Sequence, residues 1–380
     1  MSIWLAACAG CASVEPSGPT SSASAPEGVS YLAQAVQGHW QVMRAARPLA
    51  DWLADASTPE PVKNRLNEVQ RMRRFAVDEL ALPDNASYTR YADLKRRAVV
   101  WNVVATPELS LRLQTWCFPV LGCVGYRGYF EQAHAQAKAA QLHAQGWEVA
   151  VYPVPAYSTL GWTNWLGGDP VLNTMIAYPA GEVARLLFHE LAHQQVYVPG
   201  DTEFNESYAT AVERLGGQRW LAQAGAEAQV AYAVFDQRRI AFRALTRQTR
   251  ENLQKIYGSS QVNPGDNAIE SEDLKRRQKA LALQAFRQRY AALKTEWAGF
   301  SGYDAWVDRA NNATFAVQAA YDRWVPALEA LFVQQGRDFR RFHQAVADLG
   351  RLPRAERQAA LERLQPGEVN PDGRSSDPGL

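Results

Sequence analysis

The stretch Leu186–Val196, LLFHELAHQQV, sets two histidines four residues apart with a glutamate directly after the first. Leu186, Leu187, Leu191 and Ala192 recur at helical spacing, so a core-facing helix is expected over 180–196. In a helix, residues i and i+4 share a face, so His189 and His193 present both imidazoles to one point. That is a two-armed grip for a metal ion. In H-E-x-x-H sites the position of Glu190 holds the general base, which takes a proton from a metal-activated water. A catalytic zinc takes three protein ligands. One more must therefore return to this helix from elsewhere in the chain.

Histidine does not supply it in the x-x-G-x-x-H manner, because the sixth residue after His193 is Pro199. Pro199 and Gly200 instead end the helix and let the chain reverse, and a second helix begins near Asn205 as NESYATAVERLGG. Glu206, thirteen residues after His193, is the third ligand on this reading. Its competitors are Glu203, placed in the turn, and Glu213, two turns further along the same face, where it meets a ligating imidazole as a hydrogen-bond partner. Tyr208 and Tyr321 are the candidate donors to a transition-state oxyanion. His39, His134, His143 and His343 lack comparable neighbours and read as surface or core residues.

Periodicity supplies the frame around this pair of helices. Apolar residues recur at three and four over 31–53 and 61–80, giving two amphipathic helices. Ala98–Thr106 and Gly146–Pro155 read as strands, Gly125–Phe130 as a weaker one, and the segment between the last two as a helix. Glycines and Pro170 break 156–176 into a loop and a short helix, and from Asn205 to about 364 nearly everything is helical. The expected fold class is α+β, mostly helical: one domain over 29–365, with a small sheet before the H-E-x-x-H helix and a helical C-terminal half. With 380 residues, 47% of them hydrophobic, such a core can be filled. A net charge of +1 gives no basic field for nucleic acid, so recognition rests on a local site. The tail 366–380 reads as disordered.

The first 28 residues differ in kind. An apolar run reaches small residues and then Cys8 or Cys11, which resembles the processing site of bacterial lipoproteins, and a Ser/Pro/Ala-rich spacer follows. Lipidation at one of these cysteines implies a periplasmic or cell-envelope protein held to the membrane by lipid alone. In that oxidising compartment Cys117 and Cys123, with Pro119 and Gly122 bending the chain between them, suit a disulfide.

WCFPVLGCVGYRGYF, YSTLGW, DPVLNTM, FHELAHQ, DTEFNESYATAVERLG and NNA (Asn311–Ala313), in this order, resemble the bacterial family of zinc-dependent aminopeptidases, glutamate-type zincins among which lipoproteins are frequent. The resemblance runs from about Tyr31 to Leu364. It implies a zincin-like fold, one zinc held by His189, His193 and Glu206, Glu190 as the base, a peptide substrate, and YSTLGW beside the active-site helix. TNWLGG, between Trp162 and Asp169, is longer than the family spacing and implies a reshaped cleft rim. The G-x-M-E-N segment with which other glutamate-type zinc aminopeptidases hold the substrate amine is absent. Asp169 or Glu182 is the substitute, and each also reads as a surface carboxylate or helix cap. The residues by themselves thus leave open a zinc peptidase, as an aminopeptidase on short peptides or an envelope endopeptidase, an inert metal-binding lipoprotein, and a structural envelope protein without metal.

Overall fold

Pro48 divides the first expected helix. Proline lacks the N–H that a helix interior needs and pushes the residue before it out of the α region, so Arg47 and Pro48 are extended. The computed structural model describes residues 20–21, 25–118, 122–156, 159, 167–258, 268–318 and 323–365, with backbone only at 20–21, 25–30, 32–33, 118, 122–123, 227–228, 231 and 268–270. Cys8, Cys11, Tyr321, the tail 366–380 and most of YSTLGW lie outside the described residues.

The N-terminal part runs β1 (Thr20–Ser21), α1 (Ala25–Ala45), β2 (Ala46–Pro48), α2 (Leu49–Ala54) and α3 (Glu60–Asp78). It continues through β3 (Arg90–Ala92), β4 (Val100–Pro107), β5 (Thr115–Phe118), β6 (Gly122–Val124), β7 (Arg127–Tyr129), α4 (Gln132–Ala144), β8 (Trp147–Val154) and β9 (Val171–Leu172). Among the described residues there are three small sheets instead of one, each of three strands: β1-β5-β6, β2-β3-β9 and β7-β4-β8. The pairing of β3 with β9 joins segments that are far apart in sequence and only two or three residues long, too short to show a period. In the first sheet β5 and β6 run antiparallel with Cys117 opposite Cys123, whose side chain is outside the described residues.

The third sheet carries the alternation legible in sequence. Val103, Ala105 and Val149 face α4, while Val104, Ala150 and Tyr152 face Ala313 and Val317 of the C-terminal half. At its rim Asn311 Nδ2 donates to Val149 O (2.9 Å), and Gln114 N donates to the carbonyl of Ala105, the residue paired with Val149. Both carbonyls thus point away from their shared ladder. Val151, two residues on, turns its backbone to the same side of β8, which no other strand pairs among the described residues.

After β9 come α5 (Asn173–Ile176), α6 (Ala180–Gln195), α7 (Thr202–Leu221), α8 (Ala226–Gly258), α9 (Ala268–Glu296), α10 (Asp304–Asp308), α11 (Asn312–Gln318), α12 (Val325–Gln334), α13 (Phe339–Arg351) and α14 (Arg354–Leu364). From Glu182 to His193 every residue of α6 is buried, which makes it the central helix of the main core rather than a surface amphipathic one. It packs along α7, with α3 and α5 also against it. A second, aromatic-rich core lies between α8 and α9, where Phe242 stacks on Tyr303 at 4.1 Å. Among the described residues no helix is long and apolar enough to cross a membrane.

Candidate metal centre

Helix α7 starts three residues before the expected Asn205, because Asp201 caps it: its carboxylate accepts from Phe204 N at 3.2 Å. Asp201 is itself locked by Arg357 of α14 at 2.6 Å, a buried pair that fixes where the chain reverses after α6. Glu203 consequently sits in the first turn of α7 rather than in a loop, and it pairs with Arg323 at 3.3 Å. Glu206 is the acid that faces α6.

His189, His193 and Glu206 converge. His193 Nε2 lies 3.2 Å from His189 Nε2, and Glu206 Oε2 lies 3.4 Å from the first imidazole and 3.8 Å from the second. Tetrahedral zinc with bonds of about 2.0–2.1 Å holds its ligand atoms roughly 3.3 Å apart. The three observed separations bracket that value. All three residues are buried, and Glu206 Oε2 has no hydrogen-bond partner among the described residues. Two facing imidazole nitrogens and a buried carboxylate oxygen that makes no hydrogen bond are a donor set that a cation satisfies and that a neutral core would leave costly. Glu190, on the same helix next to His189, is buried with them.

A second carboxylate fixes which nitrogen of His189 faces the centre. His189 Nδ1 lies 3.1 Å from Glu213 Oε2, and since a carboxylate only accepts, the ring donates from Nδ1 and turns Nε2 inward. Burial opposes charge on His189, but the flanking Glu206 and Glu213 outweigh it and raise the imidazole to about 10. His193, buried beside that charge, is pushed well below the usual value. Burial raises Glu206 despite the charge on His189, whereas the partly buried Glu213 is pulled far down by Arg185 and His189 against the opposing effect of burial. Without metal, the centre therefore carries its proton on His189.

Other candidates are occupied elsewhere. Tyr208 is buried two residues from Glu206, on the far side of α7, where its hydroxyl meets His343 Nδ1 at 2.8 Å while His343 Nε2 donates to Leu80 O. Glu182 is buried between Arg239 (3.1 Å) and Arg185 (3.8 Å). Asp169 accepts from both the backbone N and the hydroxyl of Thr159, and Gln194, the residue after His193, reaches it at 3.5 Å. One residue of YSTLGW is thereby tied next to the motif helix. Gly168 makes this corner possible: its φ is +65°, and a Cβ there would fall 2.4 Å from Ser87 N.

Two residues escape sequence reasoning. Tyr152 of β8 is half-buried between the main core and the sheet, and its hydroxyl accepts from Asn102 Nδ2 at 3.3 Å. Burial raises its pKa, the hydrogen bond from Asn102 opposes that, and the charge of Glu206 adds to the rise. Alternation marks Tyr152 as facing inward but says nothing of what it faces. Arg185, one turn before His189, is fully buried and ion-paired with Glu213, and nothing in the sequence separates it from a solvated arginine.

No curated protein and no solved structure matches this chain. A family model does match, over residues 30–361, and its description is putative aminopeptidase. That span includes both motif helices, the three sheets except β1, and the helical C-terminal half. The chain belongs to the putative aminopeptidase family.

Proposed function

We propose that the protein is a zinc-dependent peptidase, a glutamate-type zincin with one zinc held by His189, His193 and Glu206, acting as an aminopeptidase on short peptides. The observation that carries this reading is the mutual spacing of the three ligand atoms, 3.2, 3.4 and 3.8 Å, on three buried residues. Family membership supplies the peptidase activity. A bound zinc contributes a Lewis acid that acidifies water and polarises a carbonyl. Glu190 takes the proton of the attacking water and passes it to the leaving amine, a transfer worth about 10²–10⁴-fold in rate. Tyr152 donates to the developing oxyanion in place of Tyr208, whose hydroxyl is committed to His343. The substrate main chain adds to the free edge of β8 at Val151.

A second reading, cleavage within a chain, has one observation in its favour: Asp169 and Glu182, the acids available to hold a free amine, are both spent on internal partners. For the surroundings of the site we propose a lipid-anchored envelope protein with a Cys117–Cys123 disulfide. Residues directly opposite on antiparallel strands have Cα atoms about 4.5–5.5 Å apart, within the span of a disulfide. The test of function is a peptide-library digest read by mass spectrometry, with zinc-loaded wild type and Glu190→Gln. Loss of a single N-terminal residue by the wild type alone is expected, internal cuts select the second reading, and equal cleavage by both proteins refutes the role of Glu190.

A further inference from the structure

A fully buried arginine beside a metal centre needs a reason, because removing a guanidinium from water is costly unless every face of it is used. Arg185 uses both of its terminal nitrogens, while its Nε finds no hydrogen-bond partner among the described residues. One arm is ion-paired with Glu213 Oε1, and the other meets the Tyr232 hydroxyl at 2.6 Å. Glu182 and Asp236 complete its surroundings at 3.8 and 3.7 Å. Tyr232 and Asp236 belong to α8, where Arg239 bonds to both and to Glu182 (3.1 Å). The guanidinium is therefore clamped between α6, α7 and α8.

The carboxylate of Glu213 divides its oxygens between two partners, Arg185 at Oε1 and His189 Nδ1 at Oε2. Fixing one oxygen fixes the rotation of the group, and hence the direction in which the other receives the imidazole N–H. We propose that Arg185 is a positioning residue for the metal centre: it orients Glu213, which orients His189, and α8 holds Arg185 in place to do so. This rests on His189 being a metal ligand, as read above. The packing is made for the arginine. Gly217, one turn after Glu213 on α7, faces its stem, and a Cβ there would stand 2.8 Å from Arg185 Cγ. A salt bridge serving α6–α8 packing alone would not require Glu213 to share its carboxylate with a ligand.

The test is zinc affinity of the full chain, measured by chelator competition per folded molecule, together with the visible spectrum of the cobalt-loaded protein. Partners that orient a ligand are worth about 10- to 100-fold in metal affinity. Arg185→Met should weaken zinc by that factor and shift the cobalt bands, and so should Glu213→Gln. The double variant should bind no more weakly than Glu213→Gln alone, since Arg185 acts only through Glu213. If Arg185→Met does not fold, Arg185→Lys replaces it: a single ammonium cannot serve Glu213 and Tyr232 together, so affinity should still fall. Wild-type affinity in the folded Arg185 variant, or losses that add in the double variant, overturn the proposal. A wild type that binds no zinc overturns the metal reading instead, so the two failures are distinct.

Discussion

Zinc and a proton compete for His189, and the structure sets the terms. The metal-free imidazole is raised to about 10 by Glu206 and Glu213 against the opposing effect of burial, so at pH 7 it is charged. Binding requires the neutral ring, because the same Nε2 lone pair must serve the metal. About three pKa units separate neutral pH from that value, each worth about 1.4 kcal/mol, so proton displacement costs roughly 4 kcal/mol of zinc affinity at pH 7. The sign follows directly: raising the pH removes the competitor and tightens binding. Between pH 6 and 9 the zinc dissociation constant should fall about tenfold per unit. The raised pKa of Glu206 steepens the acid end of that range. Calorimetry in buffers of different ionisation enthalpy should find about one proton released per zinc near neutrality. Glu213→Gln removes one of the two carboxylates that hold the proton, so the pH-dependent range should retreat to lower pH, while affinity at the alkaline end, where no proton competes, stays below that of the wild type. An affinity that does not change with pH, or binding without proton release, would refute this reasoning.

Tyr152→Phe should lower kcat by about 10²–10³-fold with little change in KM, the signature of a donor that acts only in the transition state; a normal kcat removes Tyr152 from the mechanism. Gly217→Ala should destabilise the fold by about 1–3 kcal/mol, because its methyl overlaps the stem of Arg185, and a midpoint unchanged in urea would contradict the packing described. Alkylation followed by mass spectrometry should find Cys117 and Cys123 unmodified until reduction in protein taken from an oxidising compartment, whereas two reactive thiols exclude the bridge.

The metal cluster is legible in sequence because helix geometry alone puts His189 and His193 on one face, and a helix reversal at Pro199 and Gly200 leaves few acids able to reach them. Glu206 follows from that reasoning. The start of α7 does not, since it depends on Asp201, whose capping role is fixed by Arg357 some 156 residues later. Strands β4 and β8 show their period; β2, β3 and β9 are too short to have one, and only tertiary pairing defines them. Arg185 and Tyr152 are hidden for a related reason. A local pattern reports which way a side chain points, whereas their importance comes from what α7 and α8 bring against them.

The most direct measurement is an anomalous difference map at the zinc edge from crystals grown with zinc. A single peak should stand about 2.0–2.2 Å from His189 Nε2, His193 Nε2 and a Glu206 carboxylate oxygen. A peak elsewhere, or none at these side chains, would contradict the assignment of the centre.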